Sequence, residues 1–170
     1  MAKASSELQR KFLDLVEAHQ GIVFKVCSLY AGDEHERQDL HQEILMQLWR
    51  SFPSFLGGSQ FSTWMYRVAL NTALLARRRQ RSRPQWGSLP EPGPAAPDPT
   101  GADLDVEQLQ RCIRRLPKLD RAVILLYLEQ YKYEEIAELT GLSRQAVGVR
   151  IVRIKKRLRE CLVKPDRERG

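Results

Sequence analysis

Apolar residues recur along most of this chain at steps of three and four, the spacing that gathers them on one face of an α-helix. From Leu8 to Tyr30 the set is Leu8, Phe12, Leu15, Val16, Ile22, Val23, Val26 and Leu29, with Gly21 as a candidate break. From Asp39 to Phe52 it is Leu40, Ile44, Leu45, Leu48, Trp49 and Phe52, while Asp39, Gln42, Glu43, Gln47 and Arg50 occupy the opposite face. After the turn-rich stretch FPSFLGGSQF, a further helix opens in STWMYRVALNTALLARRRQR. Ser62 or Thr63 is its expected N-cap, since a side-chain oxygen there can accept a free N–H of the first turn. The first half is therefore predicted to hold three or four helices. The period-two alternation of strands is absent, and the expected class is all-α.

The helical pattern lapses once. Between Arg83 and Pro99 stand Pro84, Pro90, Pro92, Pro94, Pro97 and Pro99, six of the nine prolines, with Gly87, Gly93 and Gly101 in or beside the run. Neither a helix nor a central strand tolerates that composition. Two small helical domains, residues 1–83 and 103–170, are expected on either side of a flexible Pro-rich linker over 84–102. At about 3.1 Å per residue, such a linker could reach on the order of 60 Å. Beyond it, one helix is predicted to begin near Asp103 and another in LPKLDRAVILLYLEQY, where Pro117 suits a first turn.

The stretch YEEIAELTGLSRQAVGVRIVRIKKRLR then sets a short acidic helix before a basic one. Ala137, Gly141 and Val147 stand where a helix-turn-helix needs a small residue at the crossing, a glycine in the turn and an aliphatic anchor on the second helix. The plain alternative is an αα-hairpin with a glycine turn and a solvated basic face.

Charge sharpens the picture. The formal net charge is +7, unevenly placed: residues 1–60 hold 6 basic and 8 acidic side chains, 61–90 hold 6 basic and none acidic, 91–110 hold 5 acidic and none basic, and 111–170 hold 16 basic and 8 acidic. Two basic blocks separated by an acidic stretch point to a polyanionic partner. Cys27, Cys112 and Cys161 are odd in number, far apart and without ligand spacing, so neither a disulfide nor structural zinc is expected. His41 between Asp39 and Glu43 could suggest a metal site, but no second cluster accompanies it, and no metal or other cofactor is expected. The N-terminus lacks a signal-peptide core and no segment is apolar enough to span a bilayer, so a reduced, cytoplasmic protein is expected, with no membrane insertion.

The stretches ERQDLHQEILMQLWRSFPSFLGGSQFSTWMYRVALNTALLARRR and LPKLDRAVILLYLEQYKYEEIAELTGLSRQAVGVRIVRIKKRL resemble regions 2 and 4 of a bacterial RNA polymerase sigma factor, of the two-domain extracytoplasmic-function (ECF) group. The resemblance implies a transcription initiation factor that binds core polymerase, directs it to promoters, promotes melting and is then released. It also implies that Asp39, Leu40, Gln42, Glu43 and Trp49 dock on the clamp helices of the largest polymerase subunit, with Leu40 and Trp49 core residues in any case. Region 4 would meet the flap of the second-largest subunit, and an anti-sigma factor would be a further partner.

The same resemblance assigns Phe55, Gly58, Ser59, Phe61 and Asn71 to a pocket for an unstacked base of the minus-ten element. Opening a duplex costs a few kcal/mol per extruded base, so a protein that uses no ATP must offer a pocket and stacking faces. Trp64 and Tyr66 would add aromatic surface there and Arg67 charge, although Trp64 also shares a helical face with Met65, Val68 and Thr72. Arg77, Arg78 and Arg79, in a run reaching Arg83, would hold phosphates.

For the minus-thirty-five element the implied reader is the helix from Ser143 onward, through Ser143, Arg144, Gln145, Gly148, Val149, Arg150, Val152, Arg153, Lys156 and Arg157. Lys155 is a further candidate for the DNA backbone. Many family members carry a Lys or Arg followed by Ser where this chain has Gly148 and Val149, and Thr at Ala146, so the hydrogen-bonding code is thin and apolar or shape readout gains weight. The family role of the linker, threading toward the polymerase cleft, would suit Glu91, Asp98, Asp103 and Asp105. A helix-turn-helix repressor with an N-terminal dimerisation or sensing domain is the alternative from another class. A nucleic-acid enzyme is third, lacking any evident catalytic pair.

Overall fold

Among the residues that the computed structural model describes (2–55, 57–80 and 101–163, with 2–5, 76–80 and 101–104 as backbone alone), the secondary structure is helical throughout. In order these are α1 (Ala2–Tyr30), α2 (Glu34–Ser51), a 3-10 turn (Phe52–Ser54), α3 (Phe61–Gln80), α4 (Gly101–Arg114), α5 (Lys118–Leu128), α6 (Tyr133–Thr140) and α7 (Arg144–Val163). They form two compact units, Met1–Ser82 and Arg83–Gly170, in keeping with the all-α, two-domain expectation. The proline run of the proposed linker, 84–100, lies outside the described residues.

In the first unit α1, α2 and α3 pack pairwise around Val23, Val26 and Cys27 of α1, Ile44 and Leu48 of α2, and Met65, Ala69 and Leu70 of α3. Helix α1 runs unbroken through Gly21. A mid-helix glycine costs about 1 kcal/mol relative to alanine, whereas each buried aliphatic beside it, Ile22 and Val23, contributes about 1.5–3 kcal/mol. Helix α2 starts at Glu34, earlier than the apolar pattern shows. Asp33 accepts the Glu36 N–H at 2.7 Å while the Glu36 carboxylate accepts the Gly32 N–H at 2.7 Å, a reciprocal cap. The expected cap of α3 at Ser62 or Thr63 is not used. The helix begins at Phe61, with the Gln60 carbonyl accepting the Trp64 N–H at 3.1 Å, because burying Phe61 draws the first turn inward.

In the second unit α5 is the central helix, burying Ala122, Val123, Ile124, Leu125 and Leu126. Pro117 is its N-cap, one position before the expected first turn. Helices α5 and α6 end alike. Leu126 accepts from the Tyr131 N–H and Ala137 from the Leu142 N–H, with Gln130 (φ 64°) and Gly141 (φ 73°) in the left-handed region. Gly141 meets that demand without steric cost; Gln130 carries no sequence signal for it. Helix α7 is capped by Ser143, whose hydroxyl accepts the Ala146 N–H at 3.1 Å. Ile136 and Leu139 of α6 and Val147 and Ile151 of α7 are buried at the crossing, giving the expected helix-turn-helix.

One expectation is overturned here. Cys112 of α4 and Cys161 of α7 form a disulfide. They are 49 residues apart in the chain, which is why spacing argued against pairing, but α4 packs along the far half of α7 and brings the two Cα atoms to 6.0 Å. Cys27 stays free and buried, and burial raises its thiol pKa to about 11 against the opposing charge of Arg37, leaving it protonated and unreactive near neutrality.

Candidate nucleic-acid interface

On α2 the proposed docking residues divide by burial. Asp39 and Gln42 are exposed, and Asp39 lies 3.7 Å from His35, which is exposed as well. Glu43 is only half exposed and is engaged within the unit. Leu40 is buried as expected. Trp49 departs from its expected core position: it is 41% exposed, resting one edge on Phe12 at 5.0 Å, since Phe12 and Phe52 already fill the space beneath it. His41 sits against the exposed ring of Phe24 at 5.4 Å.

Helix α3 separates the minus-ten candidates into two faces. Trp64, Arg67 and Asn71 stand at i, i+3 and i+7 and share one stripe by helical geometry. Asn71 is exposed, and Trp64 and Arg67 are half-exposed, with Arg67 engaged within the unit. Tyr66 is the correction on this helix. It projects from the other side with Met65, Ala69 and Leu70 and is 2% exposed, so it adds core rather than aromatic surface. Phe61 is buried as well.

The rings of Phe55 and Trp64 lie 5.1 Å apart, tilted by 42°, and both meet Phe61, at 5.6 and 5.3 Å. Beside this aromatic wall Gly57 (φ 72°) turns the chain, and Gly58 and Ser59 are exposed. The result is a stacking face edged by a glycine turn, with the Asn71 amide on the same helix as Trp64. The backbones of Arg77, Arg78 and Arg79 continue α3, but their side chains, like Arg81 and Arg83, lie outside the described residues.

In the second unit, ion pairing sorts the cations of α7. Arg150 donates to the buried carboxylate of Asp120 at 2.6 Å, and Arg157 stands 3.6 Å from the same group. Arg144 pairs with Glu134 of α6, which, with its backbone and Arg144 hydrogen bonds, holds the Glu134 carboxyl below its ordinary pKa. Lys155 donates to the Tyr127 hydroxyl at 2.6 Å and lies 4.3 Å over its ring. Among the described residues Arg153 and Lys156 are exposed and carry no such partner. Gln145, Val149 and Val152 are exposed beside them. Gly148 is partly covered, in a place where an added Cβ would lie 3.6 Å from the Tyr133 ring of α6. An open depression of about 590 Å³ runs between Pro117 and Asp120 at the start of α5 and the first four turns of α7, taking in Gln145, Ala146, Val149, Arg150, Arg153 and Arg157. Sequence reasoning passed over Asp120, which organises two of the predicted DNA-binding arginines; a lone acid within an apolar helix was its only signal.

Two protein-family profiles match the chain. Residues 15–83 match the profile of Sigma-70 region 2, and residues 106–158 that of Sigma-70, region 4. The chain is 32% identical over 157 residues to the RNA polymerase sigma factor CarQ of Myxococcus xanthus, covering 91% of this chain and 90% of CarQ. The chain belongs to the sigma-70 family, in its ECF group. Sigma factors of this family are transcription initiation factors that act with RNA polymerase at promoters, and they are regulatory proteins rather than classical enzymes.

Two further ECF relatives are SigW of Bacillus subtilis, 27% identical across 91% of this chain and 90% of its own length, and SigE of Mycolicibacterium smegmatis, 32% identical across 91% of this chain. The chain spans 63% of the length of SigE. Among solved structures it resembles CnrH, determined in complex with the cytosolic domain of CnrY, with 25% identity, a TM-score of 0.67 and coverage of 97% and 96%. The RpoE structure from Bartonella quintana, determined with the anti-sigma factor NepR, shares the fold at a TM-score of 0.66 and 24% identity, with coverage of 95% and 99%. No helix among the described residues is long and apolar enough to cross a membrane.

Proposed function

We propose that this sigma factor works in the cytoplasm through three surfaces. The exposed polar face of α2, with Asp39 and Gln42 at its centre and Glu43 and Trp49 at its margins, docks on the clamp helices of core polymerase. The turn at Gly57 to Ser59, the Phe55–Trp64 wall and Asn71 capture an unstacked base of the minus-ten element, and the arginines from Arg77 onward hold the adjoining phosphates. Helix α7 enters the major groove of the minus-thirty-five element while region 4 meets the polymerase flap. An anti-sigma factor would restrain the protein, a reading supported by the partner-bound states of the two solved relatives.

The observation that carries this reading is the division of labour on α7. Its inner stripe is buried, several of its cations are tied down within the unit, and Arg153 and Lys156 are left on the outer side where phosphate can reach them. Transcription in vitro with core polymerase on a promoter library tests it. The parent protein should initiate from a defined promoter class and footprint that DNA only with core polymerase present. Asp39→Arg combined with Gln42→Arg, both at exposed positions, should lose polymerase association while keeping the helical circular dichroism of the parent. A specific footprint by the chain alone would instead identify a repressor.

A further inference from the structure

On α7 the outer stripe carries an unexpected chemistry. At about 100° per residue, Gln145, Val149, Val152 and Lys156 fall within roughly 60° of one another. By the same geometry, the buried stripe of Val147, Ile151, Ile154 and Leu158 lies on the opposite side of the helix. Val149 is 46% exposed and Val152 70% exposed. Exposed valines bring no advantage to a free helix, since a β-branched side chain lowers helix propensity and apolar surface in water is unfavourable. They become favourable only once covered.

The neighbours identify the cover. Arg153, Lys156 and Arg159, exposed cations without an ion-pair partner among the described residues, border the two valines, so the occupant is a polyanion that also presents apolar groups. A DNA major groove meets both conditions, and the apolar group on its base edges is the C5-methyl of thymine. Along the helix the two valines are about 4.5 Å apart, close to the roughly 3.4 Å between base steps, so they reach adjacent base pairs. Gln145 precedes them on the stripe with an amide suited to the N6 and N7 positions of adenine. We infer that Val149 and Val152 read thymine methyl groups in an A·T-containing part of the minus-thirty-five element, in place of a hydrogen-bonding pair. This inference rests on the assignment of α7 to duplex recognition.

The test uses holoenzyme reconstituted from the full chain and core polymerase, bound to a promoter obtained from the library experiment. Each thymine of the minus-thirty-five region, on either strand, is replaced in turn by deoxyuridine, which removes the methyl and keeps the base pair. At one or two neighbouring positions binding should weaken by about fourfold, the value of one buried methyl. Val149→Ala and Val152→Ala should each bind the parent promoter more weakly and no longer distinguish thymine from deoxyuridine at one of those positions. Both sites are exposed and alanine is the better helix former, so the fold is retained. The inference is overturned if no thymine responds in the parent while upstream protection persists, or if both variants keep the full methyl response. It is equally overturned if the variants alter holoenzyme assembly alone, which would place the valines against protein. Absence of upstream protection in the parent removes the duplex-recognition assignment itself, and this inference with it.

Discussion

Replacing Asp120 by alanine should loosen the whole second unit rather than a single contact. The carboxylate is 9% exposed, accepts from Arg150 at 2.6 Å and faces Arg157 at 3.6 Å, tying the first turn of α5 to the middle of α7. Truncating one partner of a fully buried ion pair costs about 3–5 kcal/mol, chiefly because the other charge is left without compensation. Arg150 is 37% exposed and Arg157 57% exposed, so both can regain water, and the expected cost falls to about 2 kcal/mol. Trp49 and Trp64 both lie in the first unit, so their fluorescence does not follow the change. Amide hydrogen exchange resolved to α5 and α7 is the suitable assay, and 2 kcal/mol appears there as exchange about thirtyfold faster. Arg150→Ala should give a similar acceleration, and the double variant little beyond either single one. If the two effects simply add, with a coupling below about 0.5 kcal/mol, the buried pair is not what joins α5 to α7 and Arg150 returns to the list of free DNA contacts.

Two other perturbations test separate parts of the molecule. Reducing the Cys112–Cys161 bond, or replacing Cys161 by serine, opens a loop of 49 residues and should lower the stability of the second unit by up to about 4 kcal/mol on the chain-entropy account, read as a lower urea midpoint for exchange protection in α5 to α7; an unchanged midpoint would show that the bond does not form in solution. Asn71→Ala should leave closed-complex formation nearly intact and slow promoter opening sharply, with partial recovery on a template carrying a pre-melted bubble; opening at the parent rate would reduce Asn71 to an exposed polar residue on a core helix.

The sequence by itself determined the helices, the helix-turn-helix and the division of the chain into two basic blocks around a proline run. These follow from local rules: the three- and four-residue recurrence of apolar side chains, the left-handed turn at Gly141, and the exclusion of proline from helices. Local rules also placed Asn71 on α3 and Ser143 at the start of α7, where it caps the helix.

Tertiary structure decided what each side chain on those helices is free to do. Tyr66 and Trp64 are two residues apart and chemically alike, yet α1 and α2 cover one and leave the other half open. Arg150 and Arg153 read alike in the sequence, and only the approach of α5 shows that Asp120 holds the first and not the second. Cys112 and Cys161 are distant along the chain and become partners because α4 lies along α7. In each case the deciding contact comes from a different helix, and the periodicity of one helix carries no information about which neighbour will cover it.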